Sequence, residues 1–309
     1  MKKLLSYILY GMLWSISLLP FPVLYFLSDL LFPLVYYVFR YRRAVVYRNL
    51  EKSFPEKSQA ERITIQKKFY HHLCDVMVES VKLITYPAEK LLNHIDIVNP
   101  DILETYRKAG RHGIMSSGHY ANWEWLIVFP FVTKYHAMAV YKPLHDKVMD
   151  RLILRSRTKG IDKLIPMHKT LRAIAGYHRD QIPTLSLFVA DQTPIKEETE
   201  YFTWFLNQET AAFTGVEKIA RKFDEAVFFF KMNKIKRGKY RLEILEITSR
   251  PKEEAPYAIT ERYFKMLESC IRERPELWLW SHKRWKFDSG AVPNRKILLS
   301  PEIQKNKTA

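Results

Sequence analysis

Hydrophobic positions along this chain fall into two regimes. From Leu4 to Phe39 they run almost without interruption, and Asp29 is the single formal charge between Lys3 and Arg40. A continuous helix over these 36 residues would be about 54 Å long at about 1.5 Å per residue, whereas a bilayer core needs about 20 residues. Pro20, Pro22 and Pro33 interrupt such a helix. Two arrangements fit: a single span near residues 4–27 followed by an interfacial helix, or a re-entrant hairpin. Lys2 and Lys3 flank one end and Arg40, Arg42 and Arg43 the other, so the positive-inside rule does not choose between them. A cleaved signal peptide fits less well, because no small-residue cleavage site precedes a polar start. Tyr36, Tyr37 and Tyr41 suit the membrane interface.

Beyond residue 43 the pattern becomes periodic. Ser58-Gln59-Ala60-Glu61 reads as a capping box. Ile63, Phe69, Tyr70, Leu73, Val76, Met77, Val81 and Ile84 then recur at helical spacing. Strands are predicted at Ile95–Val98, Gly113–Ser117, Ala137–Tyr141, Thr184–Ala190 and Ala226–Met232. A turn within Asn233–Lys239 leads to an alternating hairpin partner, Tyr240–Ile247. Helices are predicted at Ile102–Ala109, Lys147–Thr158, Thr170–Tyr177 and Val216–Arg221, and along the face Ile259, Tyr263, Met266, Leu267, Cys270, Ile271. Strands alternating with helices predict an α/β domain behind a membrane anchor. The stretch after Ser300 reads as a loose polar tail.

Composition narrows the function. The 309 residues are 47% apolar and 27% charged, near a globular average, which excludes a disordered chain and a polytopic membrane protein. Lys and Arg total 50 against 33 acidic residues, a net charge of +17. That excess points to an anionic partner: nucleic acid, an anionic membrane face or a phosphorylated substrate. Aromatic residues at 14% favour the membrane face. Two cysteines, Cys74 and Cys270, exclude a disulfide scaffold and fit a reducing compartment. No clustered Cys/His pattern with metal-ligand spacing is present, and no metal is expected.

The sharpest candidate chemistry is Ser117-Gly118-His119-Tyr120-Ala121-Asn122-Trp123-Glu124, between a strand and a helix. Asn122 is a candidate N-cap, placing Glu124 in the first helical turn. A loop histidine and a first-turn carboxylate can face each other. In one continuous helix they would diverge by about 140°, at about 100° per residue. A carboxylate on one imidazole nitrogen fixes the tautomer and leaves the other nitrogen as a base. The bland alternative is a surface histidine beside a capping carboxylate. His71, His72 and His168 are read as structural. Thr214-Gly215 opens a helix whose N–H groups suit either an anion or a plain cap.

His119-x-x-x-x-Glu124 resembles the catalytic motif of the glycerolipid and lipid A acyltransferases, and the Glu is common in the late lipid A group. Further segments match that group in order: Val140-Tyr141-Lys142-Pro143, Arg155-Ser156-Arg157, Ala190-Asp191-Gln192 and Pro275-Glu276-Leu277-Trp278-Leu279-Trp280-Ser281-His282-Lys283-Arg284-Trp285-Lys286. Two departures are Lys142 in place of an arginine and His145 where asparagine is frequent. The resemblance implies an α/β glycerolipid-acyltransferase-like domain, with a mixed sheet flanked by helices, plus an N-terminal membrane helix or hairpin. It divides the chain into an anchor (1–43), an acyltransferase domain (44–300) and the tail (301–309).

The activity so implied moves a fatty acyl chain from acyl carrier protein, or coenzyme A, to a hydroxyacyl chain of a Kdo-bearing lipid A precursor. His119 would be the general base, paired with Glu124. No cofactor beyond the acyl donor and no nucleic acid is expected. The site would lie on the cytoplasmic face of the inner membrane, against anionic lipid. Candidate substrate contacts are Arg157, suited to bidentate anion binding; Asp191, at a strand end where α/β sites collect; Lys142; and Lys283 and Arg284, interleaved with tryptophans. Each also has an ordinary reading as a solvated charge, a turn residue or a core neighbour. An acyltransferase of glycerophospholipids or aminolipids, and a non-enzymatic binder of anionic lipid, remain the alternatives.

Overall fold

The computed structural model describes residues 2–141, 143, 150, 154, 161, 163–292 and 297–308. Its strands are β1 (Ile95–Ile97), β2 (Gly113–Ser117), β3 (His136–Tyr141), β4 (Lys163–Pro166), β5 (Thr184–Val189), β6 (Tyr201–Phe205), β7 (Gln208–Ala211), β8 (Ala226–Lys236), β9 (Lys239–Thr248) and β10 (Leu298–Leu299). Seven form one sheet in the order β1-β9-β8-β2-β5-β3-β4, and β10-β6-β7 form a small second sheet. In the large sheet only β8 and β9 pair antiparallel. It is therefore the mixed sheet expected from the sequence. Helices are α1 (Lys2–Leu18), α2 (Phe21–Pro33), α3 (Arg43–Ser53), α4 (Gln59–Lys82), α5 (Asp101–Lys108), α6 (Thr170–Arg179), α7 (Gly215–Phe223), α8 (Ala258–Glu273) and α9 (Pro301–Thr308).

Three successive phenylalanines in β8 show how the sheet is covered. Side chains alternate between faces along a strand. Phe228 meets Tyr106 of α5, and Phe230 stacks on Phe129 at 4.1 Å. Phe229, on the opposite face, meets Tyr263 of α8. All three are buried. A strand packed on both faces reads as a continuous apolar run, as Ala226–Met232 does.

The capping box at Ser58 and Glu61 forms as expected and starts α4. This helix carries the N-terminal segment. Lys82 Nζ donates to the carbonyls of Ser17 and Leu19, at 3.0 and 2.7 Å, satisfying the open carbonyl end of α1 just before Pro20 breaks the chain. α2 then packs on α4: Ser28 donates to Asp75, Tyr25 donates to Glu79, and Phe32 stacks on His71. A π-helical turn, Leu34–Val38, extends α2 past Pro33, so Pro33 distorts the helix rather than ending it. At the β8–β9 turn Gly238 takes a φ of +69°, and a Cβ there would lie 2.3 Å from the Tyr25 hydroxyl. The turn and the approach of α2 thus both require glycine.

One expectation changes. Of the predicted helix Lys147–Thr158 only Asp150 and Leu154 are described, both helical, and the rest lies outside the described residues. The stretch after Ser300 is the helix α9 rather than a loose tail. Ile303 is 1% exposed and packs with Phe202, Ala211 and Val292; one apolar residue docks an otherwise polar segment. Ile303→Ala should therefore cost about 2–3 kcal/mol, the lower range for a buried aliphatic truncation. The exposed Asn306→Ala should stay within about 0.5 kcal/mol of the parent. Denaturant titration in detergent measures both, and equal midpoints would show that α9 adds nothing.

Candidate active site

β2 and β5 are parallel neighbours, and Ser117 and Val189 stand opposite each other at their carboxyl ends. Two residues past each lie His119 and Asp191, so the register itself brings them together. His119 Nδ1 lies 2.6 Å from Asp191 Oδ1. Asp191 Oδ2 accepts the His119 backbone N–H at 2.9 Å and the Trp278 indole N–H at 2.7 Å. Burial alone would raise this carboxyl's pKa. The charge and hydrogen bonds of His119, with the Trp278 indole, overcome that and hold it below the ordinary value. An ionised Asp191 makes Nδ1 the protonated nitrogen, leaving Nε2 as the acceptor. Gln192 Nε2 sits 3.1 Å from it.

The C-terminal block clamps this loop. Leu279 N–H donates to His119 O at 3.0 Å and Ala121 N–H donates to Leu277 O at 2.9 Å. Both lie beside a bridge between Tyr120 and Trp278. Ala121 has a φ of +52°, a conformation non-glycine residues rarely adopt. His72 Nε2, 3.1 Å from Ala121 O, helps hold it there. Burial, aided by the Lys234 charge, lowers the pKa of His72 to about 3. It is thus neutral and can accept from Lys234 at Nδ1 and donate from Nε2. A Cβ on Gly118 would meet Leu267 at 2.8 Å, so only glycine lets the loop lie against α8. His282 faces Thr193 through Nε2 at 3.3 Å. Burial, with the Lys286 and Arg284 charges, lowers its pKa to about 4, so it too stays a neutral acceptor.

Beside His119 opens a cavity of about 360 Å³, within the size range of small-ligand sites. Trp123, Leu126, Ile127, Val140, Leu164, Leu187 and Ile195 are among its apolar lining residues. His119, Glu124 and Gln192 supply polar groups. It can take an extended apolar chain with its polar end at the imidazole.

Several expected roles shift. The carboxylate on Nδ1 is that of Asp191, not Glu124, because β2 and β5 end in register beside each other. Glu124 does share the cavity wall with His119. Asp191 is 2% exposed and binds the histidine, which corrects its expected role as a substrate contact. Arg284, also expected at substrate, is 1% exposed and donates to Ala211 O at 2.6 Å. Folding of the tryptophan block turns it inward. Lys283 is exposed, and the Thr193 hydroxyl beside the cavity donates to the next carbonyl, Arg284 O, at 2.6 Å. Lys142 and Arg157 lie outside the described residues. Asn122 precedes the 3₁₀ helix Trp123–Phe131 but makes no side-chain cap. Its amide donates instead to Glu79 at 2.6 Å. Thr214 donates to Glu200.

Local sequence signals do not reveal Glu79 or the structural role of Trp278, whereas Gln192 stands in the Ala190-Asp191-Gln192 segment. Glu79 is one of several polar residues of the amphipathic helix α4. It is fully buried and accepts from Tyr25, Asn122 and Tyr240 at 2.6–2.8 Å. Burial raises its pKa from 4.5 to about 7, against the lowering effect of the tyrosine hydrogen bonds. The folded state thus keeps a proton that the unfolded chain releases near 4.5. This contribution to stability is complete below pH 4.5 and is lost as the pH rises through 7. The interval corresponds to roughly 3 kcal/mol. Wild-type stability should therefore fall relative to Glu79→Gln by about that much between roughly pH 5 and 8. Denaturant titrations in detergent across this range measure it; a difference independent of pH would give Glu79 an ordinary carboxylate.

The chain matches the bacterial lipid A biosynthesis acyltransferases over residues 1–287. It is 24% identical over 293 residues to the lipid A biosynthesis lauroyltransferase of Escherichia coli (strain K12), covering 94% of both chains. It is 26% identical over 279 residues, 89% of both chains, to the palmitoleoyltransferase of the same strain. The figures are the same for a lipid A biosynthesis acyltransferase of Shigella flexneri. With nearly the whole sequence matched, the chain belongs to the bacterial lipid A biosynthesis acyltransferase family and is an acyltransferase.

Proposed function

We propose that the protein transfers a fatty acyl chain from acyl carrier protein, or coenzyme A, to a hydroxyl on an acyl chain of a Kdo-bearing lipid A precursor. The observation that carries this reading is the His119–Asp191 pair, whose histidine lines a largely apolar cavity. Asp191 holds Nδ1 protonated, so Nε2 can take the proton of the acceptor hydroxyl. The hydroxyl displaces the Gln192 amide from Nε2, and its oxygen attacks the thioester carbonyl. Collapse expels the thiolate, which recovers the proton from the imidazolium. The freed Gln192 amide is the candidate donor to the oxyanion. Glu124, on the same cavity wall, stabilises the imidazolium by its charge. Lys142, Arg157 and Lys283 contact the anionic substrate, and the basic surface attracts an acidic carrier protein. No cofactor beyond the acyl donor is required.

The family is membrane-associated. Phe21–Val38 is a helical segment long and apolar enough to cross a membrane, about 27 Å at about 1.5 Å per residue. Yet Asp29, near its middle, is bound by Arg237 of the domain. A charged pair at mid-bilayer is costly. We infer that α1 and α2 form a hairpin dipping into the cytoplasmic leaflet of the inner membrane. Leu5, Ile8, Met12, Phe26, Leu30 and Phe39, all exposed, would face lipid.

His119→Ala and Asp191→Asn should each lower acyl transfer by about 10²–10⁴-fold without adding when combined, because the pair acts as one unit. Glu124→Gln should lower it as well, and Glu124→Asp less. The assay is mass-detected transfer from acyl carrier protein to a Kdo-lipid A precursor in detergent. Near-normal turnover by a folded His119→Ala protein would refute the mechanism. For topology, a periplasm-active reporter fused after Ala309 should be silent, and strong activity would overturn the cytoplasmic placement.

A further inference from the structure

At the opposite edge of the sheet, three strand starts converge on a second polar cluster. His112 directly precedes β2, Thr184 opens β5 and Glu225 directly precedes β8. His178 lies in the last turn of α6. One ligand-capable atom from each of His112, His178 and Glu225 falls within 4.8 Å of the others. The two imidazoles stack at 3.7 Å between ring centres. His178 Nε2 lies 2.7 Å from Glu225 Oε1.

Two observations point to a cation at this cluster. Glu225 is fully buried, and its Oε2 has no partner among the described residues; such a group is costly unless something positive faces it. His112 Nδ1 lies 2.9 Å from Thr184 Oγ1 and 3.3 Å from the Thr184 backbone N, contacts that hold the ring in place. Metal-binding histidines are oriented by a partner on the other ring nitrogen.

We propose that His112, His178 and Glu225 bind one divalent transition-metal ion, with zinc the best match, as a staple across the amino-terminal ends of β2 and β8 and the end of α6. Two imidazoles and one carboxylate form a donor set that suits zinc and other imidazole-seeking ions over magnesium or calcium. The ion replaces the proton held between His178 Nε2 and Glu225 Oε1, which is released to solvent. The site does not touch the cavity at His119, and its assignment does not depend on the catalytic reading.

The test uses full-length protein in detergent, stripped with a chelator and dialysed. After Zn²⁺ addition and desalting, wild type should retain close to one equivalent by elemental mass spectrometry. Its melting temperature should rise with Zn²⁺ and not with Mg²⁺ or Ca²⁺. Glu225→Gln keeps the buried shape, and His178→Ala changes the partly exposed member, so one decides if the other fails to fold. Each should weaken Zn²⁺ binding at least tenfold. No retained zinc in wild type, equal retention in the folded variants, or an equal response to Mg²⁺ would each overturn the site.

Discussion

The buried carboxylate of Asp191 is the constraint on which the rest of the structure depends. A carboxylate that is 2% exposed is tolerable only when its oxygens are supplied with donors. The chain delivers them from two remote places. The β2 loop gives the His119 ring and backbone N–H, and the C-terminal block gives the Trp278 indole. Sheet register sets the first pair. The second requires residues 275–286 to return across the carboxyl edge after α8. The same contacts that satisfy Asp191 therefore fix the tautomer of His119.

This accounts for the long tryptophan-rich block as architecture. Trp278 and Trp280 are both buried, and their indoles donate to Asp191 and to Pro275 O. Asn49 of α3 donates to the carbonyls of Trp280 and His282, tying the block to the N-terminal helices. Its interleaved cations divide by environment. Lys283 remains exposed, whereas Arg284 is enclosed under the Phe264 ring at 5.8 Å. Burial, opposed by the Asp191 charge, lowers the Arg284 pKa to about 10, and it remains a cation near the Asp191 carboxylate.

Several elements are written in local signals, while β4, β6, β7 and the helix α9 are not. The capping box at Ser58, the apolar runs Gly113–Ser117 and Ala226–Met232, and the Arg237-Gly238 turn all carry their physics within a few residues. The pairing of His119 with Asp191 does not, because it needs to be known that β2 and β5 are neighbours and in what register. Spacing made Glu124 the nearer carboxylate, while topology selects one 72 positions away. The same limit hid the His112–His178–Glu225 cluster: no short motif contains it, and the strand starts assemble it.

The sheet thus places chemistry at both of its ends from the same strands. At the carboxyl end of β2 and β5, Asp191 holds His119, which lines a mostly apolar cavity. At the amino end of β2 and β8, His112 and Glu225 lie within a buried cluster. Between them β2 is buried along its whole length, with Ser116 and Ser117 its only polar side chains. Under the proposed mechanism, rigidity in this short span matters at the carboxyl end, where general-base catalysis requires a hydrogen-bond-length approach to the acceptor hydroxyl. The metal staple proposed at the amino end would hold β2 against β8, and β2 leads directly into the His119 loop.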